Sequence, residues 1–379
     1  MERIYLDHAA TTPLDKEILD KMLPYLTENY GNADSPHAHG RKGMAAVDNA
    51  RDTLAKLLGA KPNELYFTSG GTESDNWALI GGAQAMKEQG RDHVIVSAIE
   101  HHAVLAAAEK LKKEGFAVSY LPVNGQGCVE TNALKEMISE RTGIVAVMAV
   151  NNETGAVQPI QEIAKIAHEK GALFFTDGVQ AAPHMPLNVK ELGVDMLSIS
   201  SHKFYGPKGC GALYVKSGVK IKPLIVGGEQ ERGLRGGTTN VASVVGMAAA
   251  YEKTVAHVSE IDEKIAKLRA AFLDGLTGLD GLHIYGGEGD IPAVLSLRME
   301  GVTGVDLVYK LDLCGVSISA GAACASASVK PSHVMLAMGL TEEQARECVR
   351  ISFGKGNTED EVRKAAALIK EIAETLRKN

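Results

Sequence analysis

The stretch LFFTDGVQAAPHMPLNVKELGVDMLSISSHKFYGPKGCGALYV, residues 173–215, contains three short apolar runs, each followed by small or polar residues. Leu173–Thr176, Met196–Ser200 and Gly211–Val215 are apolar almost without interruption. A strand that does not alternate with polar residues is covered on both faces, as in a sheet sandwiched between helices. The first run ends at Asp177 and the second at Ser200-Ser201-His202-Lys203. In open α/β sheets ligands bind beyond the carboxyl ends of the strands, which is where these polar residues fall.

Four more runs of the same kind lie upstream: Leu65–Thr68, His93–Ser97, Ala117–Leu121 and Gly143–Val150. Between them run the helical patterns Ala45–Leu58, Asp75–Gln89, Ala103–Glu114 and Ile160–Lys170. Seven strands separated by helices predict an α/β fold with a mostly parallel seven-stranded sheet. Downstream of Asn240 the pattern changes to a long Ala-rich helix reaching about Leu276, a strand at Ala293–Met299, a helix at Val305–Leu313 and a terminal helix after Thr358. This predicts a large domain over residues 15–257, with residues 1–14 and 258–379 forming a smaller α+β domain; the boundary falls inside the long helix.

The chain has 379 residues, 45% hydrophobic and 23% charged, with a formal net charge of -7. No block of Lys or Arg marks a nucleic-acid or anionic-membrane footprint. No apolar stretch is long enough for a transmembrane helix, and the N-terminus MERIYLDHAATTPL lacks the layout of a signal peptide. The five cysteines form no CxxC pair, so neither a disulfide framework nor a thiolate metal site is expected. These features predict a soluble cytoplasmic protein acting on small molecules, without direct contact with nucleic acid or membrane.

FTSGGTESDN, residues 67–76, reads as a strand, a glycine turn and a helix start, where Gly71 and Thr72 would hold an anion; a simply capped helix fits as well. Asp177 would pair with a protonated ring nitrogen or cap a helix, with Gln180 three residues on. At the end of the Met196–Ser200 run, Lys203 beside His202 is a candidate amine nucleophile; Lys208 competes with it. Cys324 stands in ISAGAACASASVKPSH, residues 318–333, among residues too small to pack around it, and reads as an exposed, reactive thiol or as a small packing residue. Cys128, Cys210, Cys314 and Cys348 read as structural. His101 follows a strand, a candidate for stacking or acid–base work or a satisfied helix-start histidine; Asn152 lies just past a strand and Thr238 in a glycine-rich loop; Arg350, at a strand start, has the fork geometry to hold a carboxylate, or a surface partner.

Taken in order, YLDHAATTP, SGGTESDN, EHHAV, NNETG, TDGVQ, SSHKFYGPKG, RGGT, SAGAACAS and RISFG resemble the class V aminotransferase family of pyridoxal-phosphate (PLP) enzymes, and within it the NifS/IscS-type cysteine desulfurases. The resemblance spans nearly the whole chain. It implies the type I PLP fold, and a homodimer with active sites at the subunit interface. Lys203 would bond the cofactor, Asp177 pair with its ring nitrogen, Gln180 bind its ring hydroxyl and His101 stack on the ring. Gly71, Thr72, Ser200 and His202 would hold the phosphate, with Thr238 contributed by the partner subunit. Asn152 would lie near the ring hydroxyl and the substrate carboxylate, which Arg350 would clamp, and Cys324 would take the sulfur of L-cysteine as a persulfide. That sulfur would pass to an acceptor protein in iron–sulfur cluster, thio-cofactor or tRNA biosynthesis. Selenocysteine lyase activity, other class V chemistry, or a catalytically inactive sulfur-carrier scaffold are the alternatives. His8 stands where many relatives have Asn. The C-terminal extension with which longer relatives dock a scaffold is not expected here.

Overall fold

A computed structural model describes residues 3–286, 289–320 and 330–377. Its strands in chain order are β1 Ile4–Tyr5, β2 Leu65–Thr68, β3 His93–Ser97, β4 Ala117–Leu121, β5 Thr142–Ala146, β6 Leu173–Asp177, β7 Met196–Ser200, β8 Gly211–Val215, β9 Leu282–Tyr285, β10 Val294–Met299, β11 Val316–Ser317 and β12 Cys348–Ser352. Seven of them form one sheet in the order β2-β8-β7-β6-β5-β3-β4. Only β8 runs antiparallel to its neighbours, so β2, β7, β6, β5, β3 and β4 all point their carboxyl ends to the same edge.

The apolar runs explain the sheet. Every residue of β5, β7 and β8 is buried, and neighbours in sequence enter different cores. Phe175, Val94, Val96 and Ile144 pack with Trp77 and Leu111 under the helices His102–Lys113 and Gly71–Asn76, whereas Phe174, Ile95 and Val145 face the opposite core. Side chains alternate along a strand, so a strand buried on both sides has to be apolar throughout.

The predicted strand Gly143–Val150 keeps its regular ladder only over Thr142–Ala146. The backbone continues beside β6, where Val147 N–H donates to Phe175 O at 3.1 Å and Ala149 N–H to Asp177 O at 2.8 Å. Val150 then pairs with Val157 as the chain turns back, lifting Asn152 over the strand ends.

Beyond the sheet, the helix Val241–Gly275 begins with the Asn240 side chain accepting from Ser243 N–H. It packs against the helices Ala38–Leu58, Lys16–Thr27 and Glu359–Leu376. A three-stranded antiparallel sheet, β12-β10-β9, and the parallel pair β1-β11 complete the fold. Bridges from Asp7 to Ser352 and from Ser319 to Arg350 join the beginning of the chain to β12 and to the segment after β11. Among the described residues no helix is long and apolar enough to cross a membrane.

Candidate active site

The carboxyl edge of the large sheet opens into a cleft of about 1350 Å³, solvent at its mouth included. Gly71, Thr72, His101, Asn152, Asp177, Gln180, Ser200, His202, Lys203 and Arg350, all singled out in the sequence, line it together. Two of the sequence-derived residues remain. Thr238 is exposed in a separate cavity with Tyr25, Tyr30 and Asn32. Cys324 lies outside the described residues.

The floor comes from strand ends. Gly70, between β2 and the helix starting at Gly71, has φ 151°, a conformation open to glycine. A Cβ on Gly71 would meet Val179 Cγ2 at 2.8 Å, so a side chain there would fill the cradle in front of Ser200. Glu73 accepts from Ser69 N–H and from both Nε and Nη2 of Arg235, which ties this turn to the RGGT loop.

Lys203 follows β7 in a short turn, and its Nζ donates to the carbonyls of Ala9 and Ala10. Burial, with the Arg350 charge adding to it, lowers its pKa from 10.5 to about 8. Near neutral pH a useful fraction of the amine is therefore unprotonated. The exposed Lys208 has no such setting, which decides between the two lysines.

Asp177 ends β6 at 4% exposure, and Val179 N–H donates to its Oδ1 at 2.8 Å. Burial raises its pKa, and Asp75 behind it is raised further by burial and by Asp177 itself. Glu100, fully buried, is pushed up to about 8 mainly by desolvation; its Oε1 accepts from Ser97 Oγ and from Met148 N–H at 2.7 Å. Burial pushes all three carboxyls toward the protonated form, and the Asp177 charge adds to this at Asp75 and Glu100.

His101 caps the helix His102–Lys113: its Nδ1 accepts from Ala103 N–H at 3.2 Å, so the neutral ring carries its proton on Nε2. Burial and the Lys203 charge lower its pKa to about 4, and the same causes act on His202, whose Nδ1 lies 3.1 Å from Thr11 Oγ1.

The opposite wall comes from the other side of the molecule. Arg350 on β12 donates from Nη1 to Asn152 O at 3.0 Å and from Nη2 to Asp7 Oδ1 at 2.9 Å. His333 lines the same wall, 4.6 Å ring to ring from His102, and its Nε2–H donates to Glu100 O at 2.9 Å. Sequence reasoning did not single out Asp7, Asp75, Glu100 or His333. Asp7, Asp75 and Glu100 sit inside quoted motifs and His333 ends the quoted stretch 318–333, so adjacency was the available signal, while their pairing comes from the fold.

The family profile described as "Aminotransferase class-V" matches residues 4–364. A cysteine desulfurase IscS of Methanosarcina thermophila is 44% identical over 375 residues, covering 99% of this chain and 93% of its own. A solved NifS-like protein superposes with a TM-score of 0.92 at 39% identity, covering 98% of this chain and 100% of its own. The structure titled "SspA in complex with cysteine" gives 0.83 at 34% identity, covering 94% and 100%. The chain belongs to the aminotransferase class-V family. Within it, its place is among the NifS/IscS-type cysteine desulfurases, and it is an enzyme of that kind.

Class V enzymes work with pyridoxal 5'-phosphate, and the cleft fits that group. The Gly71 cradle admits no side chain, and among the described residues Asp177 has no hydrogen-bonded cation and the buried Gln180 Oε1 has no partner. A phosphate, a protonated ring nitrogen and a polar ring substituent answer these three features in turn.

Proposed function

We propose that the enzyme removes sulfur from L-cysteine, leaving L-alanine and a persulfide on Cys324. The observation that carries this is one cleft holding the half-buried amine of Lys203, the buried Asp177 and the guanidinium of Arg350. The relative solved with cysteine supports the choice of substrate.

In this reading Gly71, Thr72, Ser200 and His202 hold the cofactor phosphate and Lys203 anchors its aldehyde carbon. Asp177 keeps the ring nitrogen protonated, Gln180 and Asn152 reach the ring hydroxyl, and His101 covers the ring face. Bound there, pyridoxal phosphate supplies the sink for electrons released at the substrate Cα. Arg350, with Asn152, orients the substrate carboxylate. Freed when the substrate amine takes its place, Lys203 Nζ would take the Cα proton, and burial, which lowers its pKa, favours the neutral base. The Cys324 thiolate attacks the substrate sulfur: an S–S bond forms, the C–S bond breaks, and its electron pair ends as a C–H bond of alanine. Cysteine and a thiol give alanine and a persulfide, with no outside oxidant.

The proposed division into residues 15–257 and residues 1–14 plus 258–379 puts the cleft between two units. We infer a homodimer in which Thr238 reaches the partner's phosphate site. Exposed Leu19, Leu23, Leu26 and Tyr30 support it, because they lie three to four residues apart and the last two line the cavity that contains Thr238. A cytoplasmic sulfur-acceptor protein completes the proposal.

Replacing Cys324 with Ala tests the assignment. The variant should keep the visible absorbance of lysine-bound cofactor yet release no sulfur from cysteine under reducing conditions. Sulfur release at the parent rate overturns the reading.

A further inference from the structure

The guanidinium assigned to the substrate carboxylate already has a carboxylate on it. Arg350 Nη2 donates to Asp7 Oδ1 at 2.9 Å, and both side chains line the cleft at 11% and 21% exposure. Among the described residues this is the one hydrogen bond or ion pair of the Asp7 side chain. Asp7 is not what fixes the Arg350 backbone. The Arg350 backbone is fixed to Ser319, N–H to O at 2.7 Å and the reverse at 3.2 Å, and β12 is paired with β10. Its Nη1 is separately held by Asn152 O. Asp7 is equally fixed through its neighbours, with Ser352 N–H on Leu6 O at 2.8 Å and His8 N–H on Ser352 O at 3.3 Å. Each backbone stays where it is whether or not the ion pair exists.

We propose that Asp7 is a specificity-determining residue, whose carboxylate competes with that of the substrate for Arg350. The inference rests on the reading of Arg350 as the carboxylate clamp. With Asp7 present, the guanidinium is close to neutralised, and a ligand gains from it only by bringing a full carboxylate of its own that displaces or shares the bond. A carboxamide offers no such exchange. Without the Asp7 charge, Arg350 attracts the substrate carboxylate more strongly. If Asp7 were merely a support for Arg350, its removal would weaken binding, the opposite sign.

The charged groups facing this pair give a second readout. Lys203, Asp177, Asp75, His101, His102, His202, Glu153 and His333 share the cleft, and at Lys203 the Arg350 charge favours the neutral amine while Asp7 and Asp177 favour the protonated one. Removing the Asp7 charge therefore moves the acid limb of kcat, which reports the substrate-bound enzyme in which Lys203 is a free amine, to lower pH.

The experiment uses the full-length, cofactor-loaded enzyme. KM and kcat for L-cysteine, and inhibition constants for L-alanine and L-alaninamide, are compared between the parent, Asp7→Asn, Asp7→Ser and Arg350→Gln. Both Asp7 variants should lower KM and the L-alanine constant on the order of five-fold and leave alaninamide within about two-fold. A raised KM, an equal change for alanine and alaninamide, or an unmoved acid limb overturns the proposal. Arg350→Gln separates the two claims: if it binds alanine as tightly as the parent, the clamp reading fails. If it loses alanine while the Asp7 variants do not tighten, competition alone fails.

Discussion

On one wall of the cleft, Gly71, Asp177, Ser200 and Lys203 stand at the ends of neighbouring or nearby strands of one sheet; on the other, Asp7 and Arg350 meet across 343 positions of chain. The sheet wall keeps its charges apart. Among the described residues Lys203 Nζ has two carbonyls for partners, and Asp177 accepts from a backbone N–H and from no cation. The far wall neutralises its charges on the spot, guanidinium against carboxylate. An unpaired buried group has a shifted pKa and chemical potential to react, whereas a paired one is stable and gains only by exchanging partners. The first wall is suited to changing bonds and the second to recognising a ligand.

That division predicts which kinetic constant each wall controls. Asp177→Asn keeps the shape of its side chain but cannot hold a proton on a ring nitrogen, so kcat should fall by roughly 10²- to 10³-fold, with KM changing far less. A variant within about ten-fold of the parent in kcat breaks the assignment of bond chemistry to this wall. Arg350→Lys should act the other way. Losing the planar fork raises KM for cysteine about ten-fold while kcat stays within about three-fold. Steady-state rates over a range of cysteine concentrations distinguish the two patterns, and a kcat loss equal to the KM rise would show that the walls are not separate.

The same contrast explains what was legible in the sequence. Asp177, Ser200 and Lys203 each follow an apolar run directly, so recognising the strand located the residue, and the seven runs in residues 65–215 became the seven strands of one sheet. Helix positions followed from apolar spacing, and the helix predicted from Ala45 extends back to Ala38 because His37 caps it, accepting from Gly40 N–H. The far wall had no local signal. Arg350 could be read as a carboxylate ligand from its residue type, but Asp7 reaches it only because β1 pairs with β11 and Asp7 bridges Ser352. The carboxyl cluster was hidden for a related reason. Asp75 and Glu100 lie on separate elements, and only the packing of the helix from Gly71 against the sheet brings them behind Asp177. Pairings set by register between distant segments leave no periodicity in the chain.

The smallest effect concerns stability, and it sharpens the contrast. The unfolded chain holds the Lys203 proton up to about pH 10.5, whereas the folded chain releases it near 8. Between these values the unfolded state binds more protons, so stability rises with pH across the window; below about 8 both states are protonated and the full cost of burying the charge is present. Lys203→Met removes that cost. In the cofactor-free enzyme at pH 7 the variant should therefore be more stable than the parent, by on the order of 2 kcal/mol. That corresponds to a rise in Tm of about 2–4 °C. The gap between the two proteins should close as pH rises from 8 towards 10.5. Glu100 titrates over a lower range in both proteins and largely cancels in the difference, whereas Asp177 loses the Lys203 charge that lowers its pKa and titrates higher in the variant. Arg350→Met, by contrast, removes one member of a pair, leaves Asp7 without a cation and should lower Tm. Thermal unfolding of the two variants over pH 7–10.5 checks both signs, and a destabilised Lys203→Met would show that the amine is comfortable in its site and that the sheet wall holds no strain to lose.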